Sequence, residues 1–268
     1  MRRLGARGDA ALLTRAGALL GKQLAALGFN LNFAPVLDVD TNPANPVIGD
    51  RSFGATPEAV CLGALAFWQG MAPHVLGCGK HFPGHGDTLV DSHLGLPRIE
   101  HDRARLQAVE LIPFVAAARS NIDALMSAHI VVDALDPARP ATLSRAVCTE
   151  LLRRDLAFEG VLFSDDLEMG AIASHFSIEE AAVLAVEAGC DALLICKDEA
   201  FQERAHAALV REAERSPAFL QRCSEAAVRG LNARRRRVPT PVFDEPLFRS
   251  LMTQSRPLEA ELTRLLES

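Results

Sequence analysis

The sequence predicts an α/β fold of the (β/α)8 TIM-type barrel class, on three observations. Short apolar runs alternate with longer helical stretches along the 268 residues. Polar residues gather directly after the apolar runs: Asp38 and Asp40, Lys80 and His81, His129, Asp165 and Asp166. No Pro/Gly linker divides the chain, so residues 1–268 read as one domain. Repeated strand–helix units favour a parallel sheet covered by helices, and a barrel places its chemistry at the C-terminal ends of its strands. An open doubly wound sheet also binds ligands there, and periodicity leans only slightly to the barrel. Five runs qualify as strands, whereas a closed barrel of this class needs eight.

Taken in order, residues 10–27 have helical apolar spacing and are stopped by Gly28. LNFAPVLDVD at 31–40 is strand-like, and 57–72 is a helix opened by Thr56 and Pro57 as a cap and first-turn pair. VLGCGKHF at 75–82 is the next strand and runs into a polar loop. Residues 102–119 read as a helix, 123–130 as a strand, and 144–156 as a helix capped by Ser144. VLFSDD at 161–166 is a strand, 177–188 a helix and DALLIC at 191–196 a strand. The chain is then helical to about residue 233, with a Pro-containing tail.

Composition excludes several classes. Hydrophobic residues at 49% and charged residues at 23% are ordinary for a globular enzyme with a substantial core. The net charge of -6 gives no support to nucleic-acid binding. The run Arg234 to Arg237 reads as a solvated helix end in favourable contact with the helix dipole. The six cysteines form no CxxC pair, and they read as small buried hydrophobes in a reducing compartment. The opening residues lack an uninterrupted apolar segment, and no later stretch would span a membrane. The expected location is cytoplasmic.

Three segments carry candidate chemistry. GKHFPGHGDTLVDSHLGLP at 79–97 concentrates Lys80, His81, His85, Asp87, Asp91 and His93 in a Gly- and Pro-rich loop. A metal held by His81, His85 and Asp87 or His93 is one reading, but the HExxH ligand spacing is absent and Lys80 would set a cation beside the ion. The other reading is sugar or anion recognition by Lys80 and His81, with proton transfer by His93. Asp91 would then fix the tautomer of His93 and raise the basicity of its free nitrogen; ordinary loop hydrogen bonding accounts for that pair equally well.

In GVLFSDDLEMGAI at 160–172 an apolar strand delivers two adjacent acids to its end. Asp166 suits a cap on the following helix, which leaves Asp165 to face the mouth, where a carboxylate can attack an anomeric carbon. In IGDRSFG at 48–54, the donor fork of Arg51 suits sugar hydroxyls or a carboxylate, and a loop salt bridge is the alternative. His129 in MSAHI lies at a strand end as a structural or ligand-contacting residue, while His74, His101, His175 and His206 read as surface residues.

These segments, with NLNFAPVLDVD and ALMSAHI, occur over about residues 10–200 in an order that resembles glycoside hydrolase family 3, specifically its bacterial β-N-acetylglucosaminidases of peptidoglycan recycling. The resemblance implies a retaining mechanism without cofactor or metal. The family nucleophile matches Asp165, and the family acid/base histidine with its partner aspartate match His93 and Asp91. The sugar-binding arginine matches Arg51, and the Lys-His pair on the N-acetylglucosamine hydroxyls matches Lys80 and His81. Asp38, His129 and Asp166 are expected close to the substrate or behind the residues that touch it. The implied substrates are muropeptide fragments, N-acetylglucosamine β-1,4-linked to anhydro-N-acetylmuramic acid with or without peptide, or chitobiose-like saccharides. Neither nucleic acid nor membrane is an expected partner, and the complete enzyme is expected to be a monomer. A phosphorylase or β-glucosidase of the same family, and a non-catalytic remnant, are the competing readings.

The sequence departs from the family at its start, where nothing matches the DQEGGRV segment and two strand–helix units that usually come first. The barrel is therefore expected to be incomplete at its N-terminus, through truncation or a misassigned start. Two exposed sheet edges would then favour poor folding or association.

Overall fold

The computed structural model describes residues 1–89, 92, 95–236 and 243–267. The chain opens with a short helix α1 (Arg2–Ala6) and a long one, α2 (Ala10–Ala26), whose first turn is capped by the Asp9 carboxylate accepting from the Leu12 N–H at 2.9 Å. After β1 (Leu31–Asn32) comes α3 (Pro57–Met71), with the predicted pair at its start: Thr56 Oγ1 accepts from the Ala59 N–H at 3.3 Å and Pro57 occupies the first turn. Helices α2 and α3 cross at glycines. A Cβ on Gly17 would lie 2.0 Å from the Phe67 carbonyl oxygen, and one on Gly70 would lie 2.0 Å from that of Thr14. The backbones can approach this closely only because both residues lack a side chain.

The chain continues through β2 (Leu76–Phe82), β3 (Arg98–Ile99), α4 (Arg103–Ala108), α5 (Ile112–Arg119), β4 (Ala124–Ser127) and β5 (Val131–Val132). A π-helical segment, Ala146–Asp155, leads to β6 (Val161–Asp166), α6 (Gly170–Ala173), α7 (Ile178–Ala188) and β7 (Ala192–Leu194). Helices α8 (Glu199–Arg215), α9 (Pro217–Arg236) and α10 (Glu245–Glu267) follow.

The main sheet has the order β1-β2-β4-β6-β7, with every pair parallel. Each new strand joins on the same side of its predecessor. A doubly wound sheet reverses direction partway, so this order separates the two predicted architectures in favour of the barrel. The sheet curls into part of a barrel, and its five strands are the five runs expected from the sequence. One face carries Leu76, Cys78, Ala124, Met126 and Val161 with Ala233 of α9. The other face supplies Leu125 and Leu162 to the larger core beneath the helices. In that core Trp68 of α3 lies against β2, where a Cβ on Gly77 would come within 2.4 Å of the indole ring.

Several elements differ from expectation for local reasons. The 102–119 helix is two helices, because Pro113 gives no N–H and its ring crowds the carbonyl four residues back, at Val109, where α4 ends. LNFAPVLDVD forms a strand only at Leu31–Asn32, with one further bridge from Val36 to Lys80, since Pro35 cannot donate to the ladder. The Pro-containing tail is helical: α10 lies on α2, where Arg15 pairs with Glu261 at 2.9 Å. The β3–β5 pair was not expected.

Arg236 pairs with Asp123 at 3.3 Å, which ties the basic end of α9 to the start of β4. Asp191, wholly buried at the start of β7, binds Arg153 at 2.6 Å, Arg229 at 3.1 Å and also Arg222. Its carboxylate further accepts from the Leu162 N–H at 3.0 Å. Cys78, Cys148 and Cys190 are buried as expected, whereas Cys196 is exposed. Among the described residues no helix is long and apolar enough to cross a membrane.

Candidate active site

The ends of β2, β4 and β6 bring together residues far apart in sequence. Beside them lies Asp38, a fully buried carboxylate on the segment after β1. Its Oδ1 accepts from the His85 N–H at 2.7 Å, both oxygens accept from the His81 N–H at 3.2 Å, and Oδ2 lies 2.7 Å from His81 Nδ1. Burial works to raise the Asp38 pKa, but the His81 ring and the His85 contacts outweigh it and hold the group below the ordinary carboxylate value.

His81 Nε2 faces Arg51 Nη2 at 3.4 Å. A guanidinium can only donate, so Nε2 accepts, and the ring proton sits on Nδ1 and goes to Asp38. The tautomer is assigned from this network. Arg51 stands on a single tight turn, Gly49–Arg51, and also donates to the Val47 carbonyl at 3.3 Å. Among the described residues it has no carboxylate partner, so the loop salt bridge is not formed, and its exposed fork is available to a ligand.

Lys80 and Asp165 lie at the ends of β2 and β6. Burial lowers the Lys80 pKa, assisted by Arg51 and opposed by the carboxylates of Asp165 and Asp38. Burial works to raise the Asp165 pKa, but His81, His129, the Asp166 N–H and Lys80 together lower it, so this carboxylate is ionised at neutral pH. Its Oδ1 accepts from the Asp166 N–H at 2.8 Å.

Asp166 does not cap the next helix in the expected way. Its Oδ1 accepts from the Glu168 N–H at 3.1 Å, and its carbonyl accepts from Met169 at 3.0 Å. Helix α6 starts after Met169 and has no side-chain cap, so Asp166 shapes the turn between strand and helix.

His129, wholly buried beyond β4, donates from Nε2 to the Asp166 carbonyl at 2.9 Å, and its Nδ1 lies 2.8 Å from Thr142 Oγ1. Burial pushes its pKa down, so the ring is neutral, and the Thr142 hydroxyl beside Nδ1 also donates to the Ala128 carbonyl at 2.9 Å. Ser127 Oγ lies 2.8 Å from the same Thr142 oxygen. Sequence reading named His129 but missed Thr142 and Ser127, which carry no motif signal.

His85 is buried and held by Thr88 Oγ1 at 2.7 Å and Ser92 Oγ at 3.2 Å, with Asn45 donating to its carbonyl at 2.8 Å. The loop lies directly on the segment after β1, since a Cβ on Gly86 would sit 1.8 Å from the Val39 carbonyl oxygen. Asp87 pairs with His101 and accepts from Thr41 Oγ1 at 2.9 Å. His101 is therefore a half-buried loop tie rather than a free surface residue. Asp40 is buried against Arg2. Asp91 and His93 lie outside the described residues.

Among the described residues no cluster of three or more His, Cys, Asp or Glu could hold a metal. The rings of His81 and His85, which the metal reading needed, are engaged with Asp38, Thr88 and Ser92. The site presents one ionised carboxylate at a strand end, in the field of Lys80 and His81, with the Arg51 fork on the far nitrogen of His81. That arrangement suits a neutral, hydroxyl-rich ligand attacked by an anion.

The curated relatives include β-hexosaminidase A of Pseudoalteromonas piscicida, 42% identical over 195 residues, which cover 68% of this chain and 33% of that protein. The β-hexosaminidase of Neisseria meningitidis serogroup C is 44% identical over 181 residues, covering 67% of this chain and 50% of the relative. The chain thus spans a third to a half of the length of these relatives. Among solved structures, a glycoside hydrolase family 3 β-N-acetylglucosaminidase from Paenibacillus sp. superposes with a TM-score of 0.85 at 40% identity, covering 93% of this chain and 51% of that one. NagZ from Neisseria gonorrhoeae, solved with N-trifluoroacetyl-D-glucosamine, superposes with a TM-score of 0.74 at 32% identity, covering 99% and 74%. The family model for the glycosyl hydrolase family 3 N-terminal domain matches residues 1–229, and this chain belongs to that family.

Proposed function

We propose that residues 1–268 form the catalytic domain of a retaining β-N-acetylglucosaminidase that removes terminal non-reducing β-linked N-acetylglucosamine from small saccharides. The observation that carries this reading is Asp165: a largely buried carboxylate kept ionised at the end of β6, in the field of Lys80, His81 and His129. An anion held this way can attack the anomeric carbon and form a glycosyl ester. Arg51, Lys80 and His81 bind the sugar hydroxyls. Asp38 sets the His81 tautomer, and His129 and Asp166 hold the strand end on which Asp165 sits.

His93 is the acid/base in this mechanism. It protonates the leaving oxygen as Asp165 attacks, then deprotonates the water that releases the sugar with its configuration retained, with Asp91 orienting its ring. An imidazole titrates close to neutrality, which suits a group that must both give and take a proton. The motif supports muropeptide fragments, N-acetylglucosamine β-1,4-linked to anhydro-N-acetylmuramic acid, as the cellular substrate, with the reaction in the cytoplasm, the whole enzyme a monomer and no cofactor required.

The test is release of chromophore from an aryl β-N-acetylglucosaminide in phosphate-free buffer, by the protein and by its Asp165→Ala variant. Turnover that is lost in the variant, with a glycosylated Asp165 peptide trapped by a slow fluorinated substrate, is the expected result. Activity retained in the variant overturns the assignment of the nucleophile. Cleavage that requires added phosphate makes the protein a phosphorylase.

A further inference from the structure

We propose that Asn45 is a positioning residue for sugar binding, acting through Arg51. The inference rests on the hydrolase reading above and gives a task to a residue which that reading leaves out. Asn45 is buried in the segment between β1 and α3, and its side-chain amide works in two directions. Oδ1 accepts from the Val47 N–H at 2.8 Å and from the Ile48 N–H at 2.9 Å. Nδ2 donates to the His85 carbonyl at 2.8 Å and meets Thr88 Oγ1 at 3.3 Å. Turning the amide over would set N–H against N–H and oxygen against carbonyl, so its neighbours fix the orientation. Pro46 follows, and its fixed φ and missing N–H suit the turn that the Asn45 carboxamide closes.

That turn leads straight into Arg51. The Arg51 backbone N–H donates to the Ile48 carbonyl at 2.9 Å, and Nη1 donates to the Val47 carbonyl at 3.3 Å. The two residues whose N–H groups Asn45 binds are therefore the two whose carbonyls hold Arg51. From there Nη2 reaches His81 Nε2 at 3.4 Å, and His81 Nδ1–H goes to Asp38 Oδ2 at 2.7 Å. Asp38 Oδ1 accepts from the His85 N–H at 2.7 Å, and the His85 carbonyl returns to Asn45. Asp38, His85, Asn45, Val47, Arg51 and His81 thus form a closed ring of hydrogen bonds. Arg51 and His81 are sugar contacts in the proposed mechanism, and Arg51 is the exposed member of the ring. Holding a long exposed side chain in one geometry costs rotamer entropy. The ring fixes the backbone from which Arg51 springs before a sugar arrives, which reduces the ordering left to binding.

A residue that pre-organises a sugar contact shows its loss in KM rather than in kcat. Asn45→Asp keeps the acceptor for Val47 and Ile48 but turns an oxygen on the His85 carbonyl, which opens the ring and spares the turn. For an aryl β-N-acetylglucosaminide, its KM should rise about tenfold while kcat stays within about twofold. Asn45→Ser, whose hydroxyl is too short to span to His85, should behave alike and carries the test if the aspartate variant does not fold. In an Arg51→Ala background neither substitution should lower kcat/KM further, because effects exerted through one residue do not add. Losses that add to that of Arg51→Ala, or an unchanged KM in both Asn45 variants, would overturn the proposal. A second readout needs no turnover. The nitrogen-15 resonance of His81 Nε2, which accepts from Arg51, should move in both Asn45 variants in the same direction as in Arg51→Ala. If the unaltered protein cleaves no aryl glycoside, the hydrolase reading fails on its own. The resonance then decides the ring alone, and an Nε2 signal unmoved in both Asn45 variants overturns it.

Discussion

The Nε2–H of His129 donates to the carbonyl of Asp166 at 2.9 Å, so the strand end carrying the proposed nucleophile is held by a side chain from just beyond the neighbouring strand. With its proton committed there, the ring turns Nδ1 to Thr142 Oγ1 at 2.8 Å, an oxygen that also meets the Ala128 carbonyl at 2.9 Å. Thr142→Val keeps the shape of the side chain but removes the hydroxyl that His129 Nδ1, Ser127 Oγ and the Ala128 carbonyl share. The variant should lose about 1–3 kcal/mol, read by chemical denaturation, and Thr142→Ser should recover most of it.

His85 and His129 both have pKa values lowered by burial, and this gives the fold a characteristic acid response. The unfolded chain takes up these protons near the ordinary histidine value of about 6.5, whereas the folded chain resists them. Their contribution is complete above about pH 6.5 and is lost as pH falls from there through the folded pKa values, at a slope of up to about 1.4 kcal/mol per pH unit for each ring. Denaturation midpoints between pH 5 and 8 should therefore fall on acidification, and His129→Gln should flatten the slope. A wild-type midpoint that is level down to pH 5 would contradict the neutral assignment of both rings.

Asp38→Asn tests the corner that organises the Lys80–His81 segment. An asparagine oxygen can accept, but its amide nitrogen would meet His81 Nδ1–H donor to donor. The expected cost is about 1.5–3 kcal/mol at pH 7, the worth of hydrogen bonds to a charged group. The folded Asp38 pKa is depressed, so this contribution is present above the ordinary carboxylate value of about 3.9 and disappears as pH falls through the folded one. The gap between variant and wild type should accordingly close in strong acid. KM should rise more than kcat falls, because His81 is a sugar contact in the proposed mechanism.

Asp191 makes the opposite kind of prediction, large in stability and remote from chemistry. It lies at the start of β7, the face of a barrel that serves stability. Asp191→Asn leaves Arg153, Arg222 and Arg229 converging on a neutral group. Breaking a buried pair from one side costs about 3–5 kcal/mol, so thermal unfolding should shift down strongly while KM of any folded fraction stays unchanged.

The sequence made the strand–helix alternation legible because each strand is an apolar run that ends in charged residues. All five strands of the main sheet were expected, and so was the Thr56–Pro57 helix start. Where the reading faltered, backbone chemistry overrode apolar periodicity: Pro113 split one expected helix, and Pro35 cut short a strand-like run that ends in polar residues. In the site, Lys80, His81 and Asp165 were visible as charges that packing alone does not explain, and Asp38 and His129 as polar residues at strand ends. Thr142, Ser127 and Ser92 were not, because a hydroxyl becomes informative only once its partner's position is known. Asp191 was hidden for a related reason. Inside the strand-like run DALLIC, nothing in the sequence shows that three arginines from the π-helical segment and α9 converge on this acid.

The contact between Trp68 and Gly77 has a spectroscopic consequence. The chain contains one tryptophan and no tyrosine, so its near-ultraviolet emission comes almost entirely from that single indole at the seam between α3 and β2. Fluorescence therefore reports this seam and little else. Because Gly77 lies on the same strand as Lys80 and His81, a change in emission on adding a sugar would register displacement passed down β2 from the site to its root.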